Sequence, residues 1–167
     1  WFLYAVEKLG MDPMVFLRRL TVACSEDIGL ANPQAMVQAV SAMEAYHRIG
    51  WPEAKYIVAQ AILFAVESPK SNSIAVAIGR IMESFDSLKS AEVPLHLRDA
   101  HYSGAKKLGH IGYKYPHDFP GHYVDQQYLP DPIRDRFFYE ASEQGMEDKI
   151  RHNQALRRRT GRGIGKE

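Results

Sequence analysis

Helix start signals recur through the first half of the chain, and they restrict its fold strongly. Asp12-Pro13 and Asn32-Pro33 each combine a side chain that can cap free backbone N–H groups with a proline suited to the first helical turn. Gly50 ends one segment and Pro52 begins another. These signals predict a succession of helices.

Apolar residues follow helical spacing between these signals. The segment from Glu53 to about Glu67 is apolar on nearly every side, which predicts a helix buried all round at the centre of a bundle. The preceding segment has one helix face marked at intervals of four, three and four residues. That face carries Met36, Val40, Met43 and His47.

An isoleucine-rich stripe marks the next helix, which Ser71 or Asn72 can cap. Its apolar residues are spaced four, three, four and three apart, a pattern that serves either core packing or contact with a partner helix. Both alternatives stay open, and the first four residues are candidates for an oligomer interface. The stripe consists of Ile74, Ile78, Ile81, Phe85 and Leu88.

The amino-acid composition changes after Val93-Pro94. Residues 101–132 are rich in Gly, Pro, His and Tyr and follow no helical or strand period. Disordered segments are poor in aromatic residues, so we expect an ordered loop that wraps the helical body. We therefore divide the chain into a helical bundle at 1–92 and a loop with a last helix at 93–167. Tyr113, Tyr115 and Phe119 of the loop are further interface candidates.

A last helix is predicted from about Ser142 to Arg159. Acidic residues near its start and arginines near its end both suit the helix dipole. Arg157, Arg158 and Arg159, with Lys106, Lys107 and Lys114 of the loop, are candidates for DNA contacts, since they can hold phosphates beside stacking tyrosines. The alternative for the arginines is a solvated helix end.

Composition narrows the classes of function. The net charge is +1, which favours neither nucleic acid nor membrane as an obligate partner. The longest apolar run, Tyr56 to Val66, is too short to cross a bilayer. A single cysteine, Cys24, excludes an internal disulfide and fits a reducing compartment. The chain opens on Trp1 without an initiator Met, so we expect a fragment.

Candidate catalytic groups are few. The sequence has no Gly-x-x-x-x-Gly-Lys-Ser/Thr phosphate loop, and Cys24 lies on the apolar side of its helix. We expect no catalytic residue, bound cofactor or metal in this chain. Glu26 and Asp27 near a helix end oppose its dipole, which predicts a salt bridge or loop N–H partners.

Histidines in the loop raise a weaker, metal-dependent alternative. His117, Asp118 and His122 lie close in sequence, with His101 and His110 upstream. Zinc or iron accepts such ligands, but the spacing matches no standard pattern. Hydrogen bonds from these imidazoles to loop backbone are the competing interpretation.

Five segments, taken in order, resemble the C-terminal region of the replication-associated recombination protein A family. This family is also called the MgsA AAA+ ATPases and includes the Werner-helicase-interacting protein of eukaryotes. The resemblance covers nearly the whole chain. The segments are SEDIGLANP (25–33), SPKSN (68–72), VPLHLRDA (93–100), GYKYPHDFP (112–120) and QQYLP (126–130).

The resemblance implies a clamp-loader-like ATPase whose ATP and Mg sites lie upstream of Trp1, outside this chain. It implies a clamp-loader-collar-like helical domain that holds subunits together, with a homotetramer expected. Relatives act at stalled replication forks, with DNA and single-strand-binding protein as partners, so we expect a cytoplasmic, nucleoid-associated protein without a membrane partner. The resemblance assigns no catalytic residue here.

Overall fold

The structure, a computed structural model, describes residues 1–88 and 91–163, without the side chains of residues 87 and 158–163. Within these ranges every regular element is helical, which confirms the predicted all-α class. The six α-helices are α1 (Phe2–Leu9), α2 (Pro13–Ala23), α3 (Gln34–Ile49), α4 (Lys55–Glu67), α5 (Ser73–Glu83) and α6 (Glu147–Gly163).

The chain forms two compact units. The first combines Trp1–Ile78 with Tyr139–Thr160, so it takes residues from both ends of the sequence. The second is made chiefly by Gly79–Phe138. The division at residue 93 that the sequence suggested stays a prediction about domains.

The start of α2 has the cap that the sequence predicts. The Asp12 carboxylate accepts a hydrogen bond of 2.9 Å from the Met14 backbone N–H, and Pro13 occupies the first turn. At its other end, α2 runs into a π-helical turn, Cys24–Ile28, in which the Gly29 N–H reaches the Cys24 carbonyl. Gly29 has a φ of 52°, which favours glycine.

Small residues dominate the core of the first unit. Leu17 of α2 and Val58 of α4 are fully buried. The fully buried residues of α3 are all alanines, and its Met43 and Tyr46 pack half-buried against this core. Met36 and Val40, which mark the apolar stripe of α3, are exposed. Because alanine has a short side chain, it lets neighbouring helices approach closely. The buried alanines are Ala35, Ala39 and Ala42 of α3 and Ala61 and Ala65 of α4.

The prediction that α4 is buried all round is wrong for this chain by itself. Tyr56, Leu63 and Val66 are 73%, 63% and 61% exposed. The reason is geometric: α4 packs with α3 on one side, where Val58, Ala61 and Ala65 are buried, and its other side is not covered by the residues that the structure describes. A large exposed apolar patch on a helix often marks an interaction site.

The second unit is built from short 3-10 turns joined by extended chain, which is the irregular structure that the sequence predicts for residues 101–132. Hydrogen bonds from side chains tie these turns together. The His96 imidazole lies 2.8 Å from the Gln127 carbonyl, and the Lys114 N–H donates to the Gln126 side chain at 2.7 Å. The turns are Leu95–Leu97, Ala105–Leu108, Pro116–Asp118, Pro120–His122 and Asp131–Ile133, after Phe85–Leu88 at the end of α5.

Candidate interaction sites and the Glu147 junction

The first unit contains a fully buried carboxylate, that of Glu147 at the start of α6. Its oxygens accept hydrogen bonds from the Ser71 hydroxyl at 2.6 Å, the Tyr139 hydroxyl at 2.9 Å and the Ser142 N–H at 2.9 Å. The Ser73 hydroxyl is a fourth donor. We call this set of residues the Glu147 junction. It joins the loop before α5 to the segment that begins α6.

The electrostatics of the junction favour an ionised Glu147. Burial by itself raises the pKa of a carboxyl, but the hydrogen bonds from Ser142, Ser71 and Ser73 outweigh it and lower the pKa of Glu147 to about 2. Burial, together with the hydrogen bond and charge of Glu147, raises the pKa of Tyr139 to about 12. At neutral pH the junction therefore holds a negative charge that neutral donors satisfy.

Backbone hydrogen bonds bring a third segment to the same place. The Ser71 N–H donates to the Asp27 carbonyl at 2.8 Å, and the Met146 N–H donates to the Ala31 carbonyl at 2.8 Å. The approach at Ala31 is so close that a Cβ on Gly145 would lie 2.2 Å from its carbonyl oxygen. Gly145 therefore has no room for a side chain.

The loop between α4 and α5 is fixed by its own polar residues. The Lys70 ammonium donates to the Ala65 carbonyl at 2.8 Å and to the Val66 carbonyl at 3.0 Å, which satisfies the end of α4. The Asn32 amide donates to the Ser68 hydroxyl at 3.0 Å. Two of the segments on which the resemblance rests, 25–33 and 68–72, thus meet at the junction.

Sequence reasoning missed this junction. It assigned Glu147 only to the helix dipole, because the two serines that bind the carboxylate lie 76 and 74 residues away in the sequence. A weak signal was present in the serines of the α4–α5 loop, whose hydroxyls need acceptors. No local pattern pairs them with a particular acid.

The predicted interface stripe is largely exposed. Ile78, Ile81 and Phe85 are 52%, 38% and 56% exposed. Ile74 is half-buried, and its side chain would lie 3.2 Å from a Cβ on Gly29. Ile74 therefore packs within the first unit. The side chains of Ile78, Ile81 and Phe85 are accessible, as an interface requires. The interface itself stays a prediction.

The aromatic interface candidates belong to the second unit. Tyr113 and Tyr115 are 52% and 53% exposed, and Phe119 is half-buried. The Tyr115 ring lies 5.0 Å from the His117 ring, whose centroid is in turn 4.8 Å from that of His122. These three rings form a short row of tilted contacts, with interplanar angles of 44° and 50°.

The candidate DNA contacts fall into two groups. Lys106 and Lys107 lie exposed on one 3-10 turn, and Lys114 is exposed nearby in sequence, where its ammonium lies 3.4 Å from the Asp125 carbonyl. Arg157 is exposed on α6. The side chains of Arg158 and Arg159 lie outside the described residues. The role of all six in DNA binding stays a prediction.

Cys24 is buried, as the sequence predicts, and burial raises the pKa of its thiol although Lys70 opposes this. The sequence predicts a salt bridge or loop N–H partners for the carboxylates of Glu26 and Asp27, and the structure differs from this prediction. Both residues are exposed, and within residues 1–88 and 91–163 neither carboxylate forms a salt bridge. It is the backbone carbonyl of Asp27 that is bonded, to Ser71.

The histidines are distributed over different partners. His101 lies 2.9 Å from the Asp99 carboxylate, and His110 lies 2.9 Å from the Tyr102 hydroxyl and 3.3 Å from the Asp99 carbonyl. In the part of the chain that the structure describes, no group of three or more His, Cys, Asp or Glu residues could hold a metal ion. The geometry gives the metal-dependent alternative no support.

No described helix combines the length and the apolar character needed to cross a bilayer.

Comparisons with known proteins agree with the resemblance seen in the sequence. The family model described as "MgsA AAA+ ATPase C terminal" matches residues 1–158. Replication-associated recombination protein A of Bacillus subtilis (strain 168) is 45% identical over 129 residues, which cover 77% of this chain and 31% of that protein. The protein of the same name from Escherichia coli (strain K12) is 34% identical over 143 residues, covering 84% of this chain and 32% of its own.

The similarity extends to a eukaryote. The ATPase WRNIP1 of Dictyostelium discoideum is 34% identical over 142 residues, which cover 84% of this chain and 16% of that protein. The chain thus spans about a third of the length of the two bacterial relatives, and less of the eukaryotic one. With a family match over residues 1–158 and an all-helical fold, the chain belongs to the MgsA AAA+ ATPase C-terminal family.

Proposed function

We propose that this chain is an assembly domain, which joins copies of itself into a homo-oligomer. The observation that carries the proposal is the exposure of Ile78, Ile81 and Phe85, three large apolar residues at helical intervals on and just after α5. Exposed apolar surface that continues along a helix is characteristic of interaction sites. A second copy of the chain is the partner that we propose.

Two further observations support this function. The open side of α4 exposes Tyr56, Leu63 and Val66, so apolar surface is available in addition to the stripe. Proteins of the AAA+ class generally assemble into oligomers, and this chain belongs to a family of AAA+ C-terminal domains. A tetramer is the subunit number that we propose.

Light scattering over a dilution series tests the proposal. We expect the wild-type chain to have four times the chain mass of 19.0 kDa, and the double variant Ile78→Asp/Ile81→Asp to have the mass of one chain. Two buried carboxylates without partners would make the interface unfavourable. Circular dichroism checks that the variant keeps its helices.

Val76→Asp is the matched control, because Val76 lies on α5 and is 42% exposed but falls outside the stripe. It should leave the mass unchanged. A folded double variant with the wild-type mass would remove the stripe from the proposed interface, and a wild-type monomer at every concentration would contradict the assembly function.

The alternative function is a platform for DNA or for a single-strand-binding protein. The observation that favours it is the charge of α6, which carries no acidic residue after Asp148 but has arginines at 157–159 and 162. Arg151 of the same helix is already bonded to Glu143 and Asp148. Exposed Lys106, Lys107 and Lys114 add cationic charge in the second unit. Clustered cations bind phosphates through release of counterions.

DNA affinity at several salt concentrations tests this alternative. We expect the binding constant to fall steeply with salt. The triple variant Arg157→Ala/Arg158→Ala/Arg159→Ala should reduce that slope, by about one for each phosphate that is no longer neutralised. An unaltered slope and affinity in the triple variant would exclude these arginines as contacts.

The relatives are longer proteins that contain a region similar to this chain. For a protein of that kind containing this chain, we propose a role in replication-fork maintenance, recombination and repair. The names of the bacterial relatives refer to replication and recombination, and that of the Dictyostelium relative to an ATPase. ATP and Mg would bind outside the present chain. We propose a cytoplasmic, nucleoid-associated location.

A further inference from the structure

A cleft of about 500 Å³ lies within the second unit, between residues 96–101 and residues 110–113. Its size falls in the range of about 300–1,000 Å³ that is typical of small-molecule sites. The residues between these two walls include the 3-10 turn Ala105–Leu108. The cleft therefore belongs to one continuous loop of the chain.

The ends of this loop are held close together. A Cβ on Gly109 would lie 3.3 Å from the Leu95 side chain, and one on Gly112 would lie 3.9 Å from the His96 Cβ. Both glycines have a positive φ, which lets the second wall turn back towards the first. Loops closed in this way are compact and frequently carry binding sites.

Ring systems make up much of the lining. His96, His101, His110 and Tyr113 all line the cleft. Hydrogen bonds orient all three imidazoles, since His96 is bonded to the Gln127 carbonyl, His101 to the Asp99 carboxylate and His110 to the Tyr102 hydroxyl. The Tyr113 ring is 52% exposed, so it remains accessible to a ligand.

Two lysines on the turn between the walls, Lys106 and Lys107, add positive charge to this loop outside the lining itself. Arg98 of the lining is already occupied, because it is bonded to the Glu92 carboxylate and the Val93 carbonyl. Asp99, the acidic residue of the lining, is bonded to His101. Within residues 1–88 and 91–163, the ammonium groups of Lys106 and Lys107, on the turn between the walls, form no salt bridge with a carboxylate.

We propose that this cleft binds one unpaired nucleotide of a single-stranded nucleic acid. The base stacks on the Tyr113 ring, and Lys106 and Lys107 attract the adjoining phosphates. Stacking on an aromatic ring suits any base, and backbone charge supplies most of the remaining affinity. The inference deepens the alternative function above, on which it rests.

The test is fluorescence anisotropy of the 167-residue chain with a labelled single-stranded thymidine oligonucleotide, and with the matching duplex. Tyr113→Ala should weaken binding of the single strand by about 5- to 150-fold, the usual range for loss of one base–aromatic stack. Tyr113→Phe keeps the ring and should bind like the wild type. Lys106→Ala/Lys107→Ala should lower the salt slope of single-strand binding.

Tyr128→Ala is the matched control. Tyr128 is 51% exposed in the same unit and does not line the cleft, so its loss should leave the affinity unchanged. Because Tyr113 is also a candidate for the oligomer interface, the mass of each variant is measured by light scattering. An affinity loss of Tyr113→Ala at the wild-type mass assigns the effect to the cleft.

The remaining outcomes separate the failure of the cleft from that of the platform. If the wild type binds neither the single strand nor the duplex, both the DNA-binding platform and the cleft are overturned. If it binds but Tyr113→Ala matches the wild type, or if the duplex binds as tightly as the single strand, only the cleft proposal fails. Displacement by an acidic peptide but not by unlabelled oligonucleotide would point to a peptide site and would also overturn it.

Discussion

The two units of this chain are stabilised by different means. In the first, helices α2, α3 and α4 pack through Leu17, Val58 and a set of alanines, and the Glu147 junction adds a buried, fully bonded carboxylate. In the second, short 3-10 turns are joined by hydrogen bonds such as those of His96 and Gln127. The first unit has a helical core, whereas few of the large side chains in the second are buried.

From this difference we expect stability to depend mainly on the first unit and binding mainly on the second. Burial and tight packing supply most of the free energy of folding, so the first unit should determine the cooperative unfolding transition. Partly exposed turns open more easily, and binding residues are disproportionately found in such segments. The candidate nucleotide cleft lies in the second unit, in agreement with this division.

Leu17→Ala should have the largest effect. Leu17 is fully buried in the core of the first unit, and such a truncation costs about 2–5 kcal/mol because it leaves a cavity. The free energy of unfolding, measured with denaturant, should fall accordingly. Leu9→Ala is the control, since Leu9 is exposed, and it should change stability little. Equal effects of the two variants would argue against a packed core around Leu17.

Acid should weaken the first unit through Glu147. Its pKa in the folded chain is lowered from the ordinary 4.5 to about 2, so the carboxylate contributes fully above about pH 4.5. That contribution is lost as the pH falls towards 2, and it amounts to at most about 3 kcal/mol. Denaturant unfolding between pH 2 and 6 measures the loss.

Glu147→Gln supplies the comparison for the acid experiment. The amide does not titrate, so the variant should be less stable than the wild type at pH 6 and the difference should shrink towards pH 2. Parallel stability curves for the two proteins would show that Glu147 does not carry the acid sensitivity.

Gly145→Ala should destabilise the junction by about 1–3 kcal/mol. The new Cβ would lie 2.2 Å from the Ala31 carbonyl oxygen and 2.7 Å from the Pro69 ring, so backbone has to move. Gly10→Ala is a close control, because Gly10 has a φ of 66° against 52° for Gly145 but open space around its Cβ. Thermal unfolding should show a larger loss for Gly145→Ala than for Gly10→Ala. Equal losses would mean that backbone conformation, and not the clash, decides.

Gln127→Ala should have the smallest effect, about 1 kcal/mol, and only within the second unit. The Gln127 amide donates to the Leu129 carbonyl at 2.9 Å and to the Asp131 carboxylate at 2.7 Å. Amide hydrogen exchange should become faster near Asp131–Ile133 and stay unchanged in α2. Gln154→Ala, which removes two hydrogen bonds at 3.3 Å in the first unit, should instead affect exchange near Tyr139. Faster exchange throughout the chain in Gln127→Ala would contradict the separation of the units.

The sequence predicted the helices of the first unit better than the faces that they bury. Asp12-Pro13 is a local signal, and the structure shows the cap that it implies. The apolar stripe of α3 suggested a face at Met36 and Val40, but the chain buries the neighbouring alanines. Periodicity gives weight to large apolar residues, whereas close packing of two helices selects small ones.

Long-range pairing explains what else could not be predicted. The partners of Glu147 come from serines in a distant loop, and the cleft in the second unit depends on walls that meet only after the chain has turned back at Gly109 and Gly112. Residues 101–132 were expected to be ordered from their aromatic content, but no period revealed the 3-10 turns. Short turns are fixed by individual hydrogen bonds, and these leave little trace in composition.

The π-helical turn Cys24–Ile28 restricts the number of residues that its segment can have. A π turn accommodates one residue more than an α turn, so the last residues of this helix, up to Ile28, are rotated by about 100° relative to an uninterrupted α-helix. Deleting a single residue here would let α2 continue as an ordinary helix. It would also rotate the Ala31 carbonyl away from the Met146 N–H, from which that carbonyl accepts a hydrogen bond. Related sequences should therefore tolerate substitutions in this turn more readily than a change in the number of its residues.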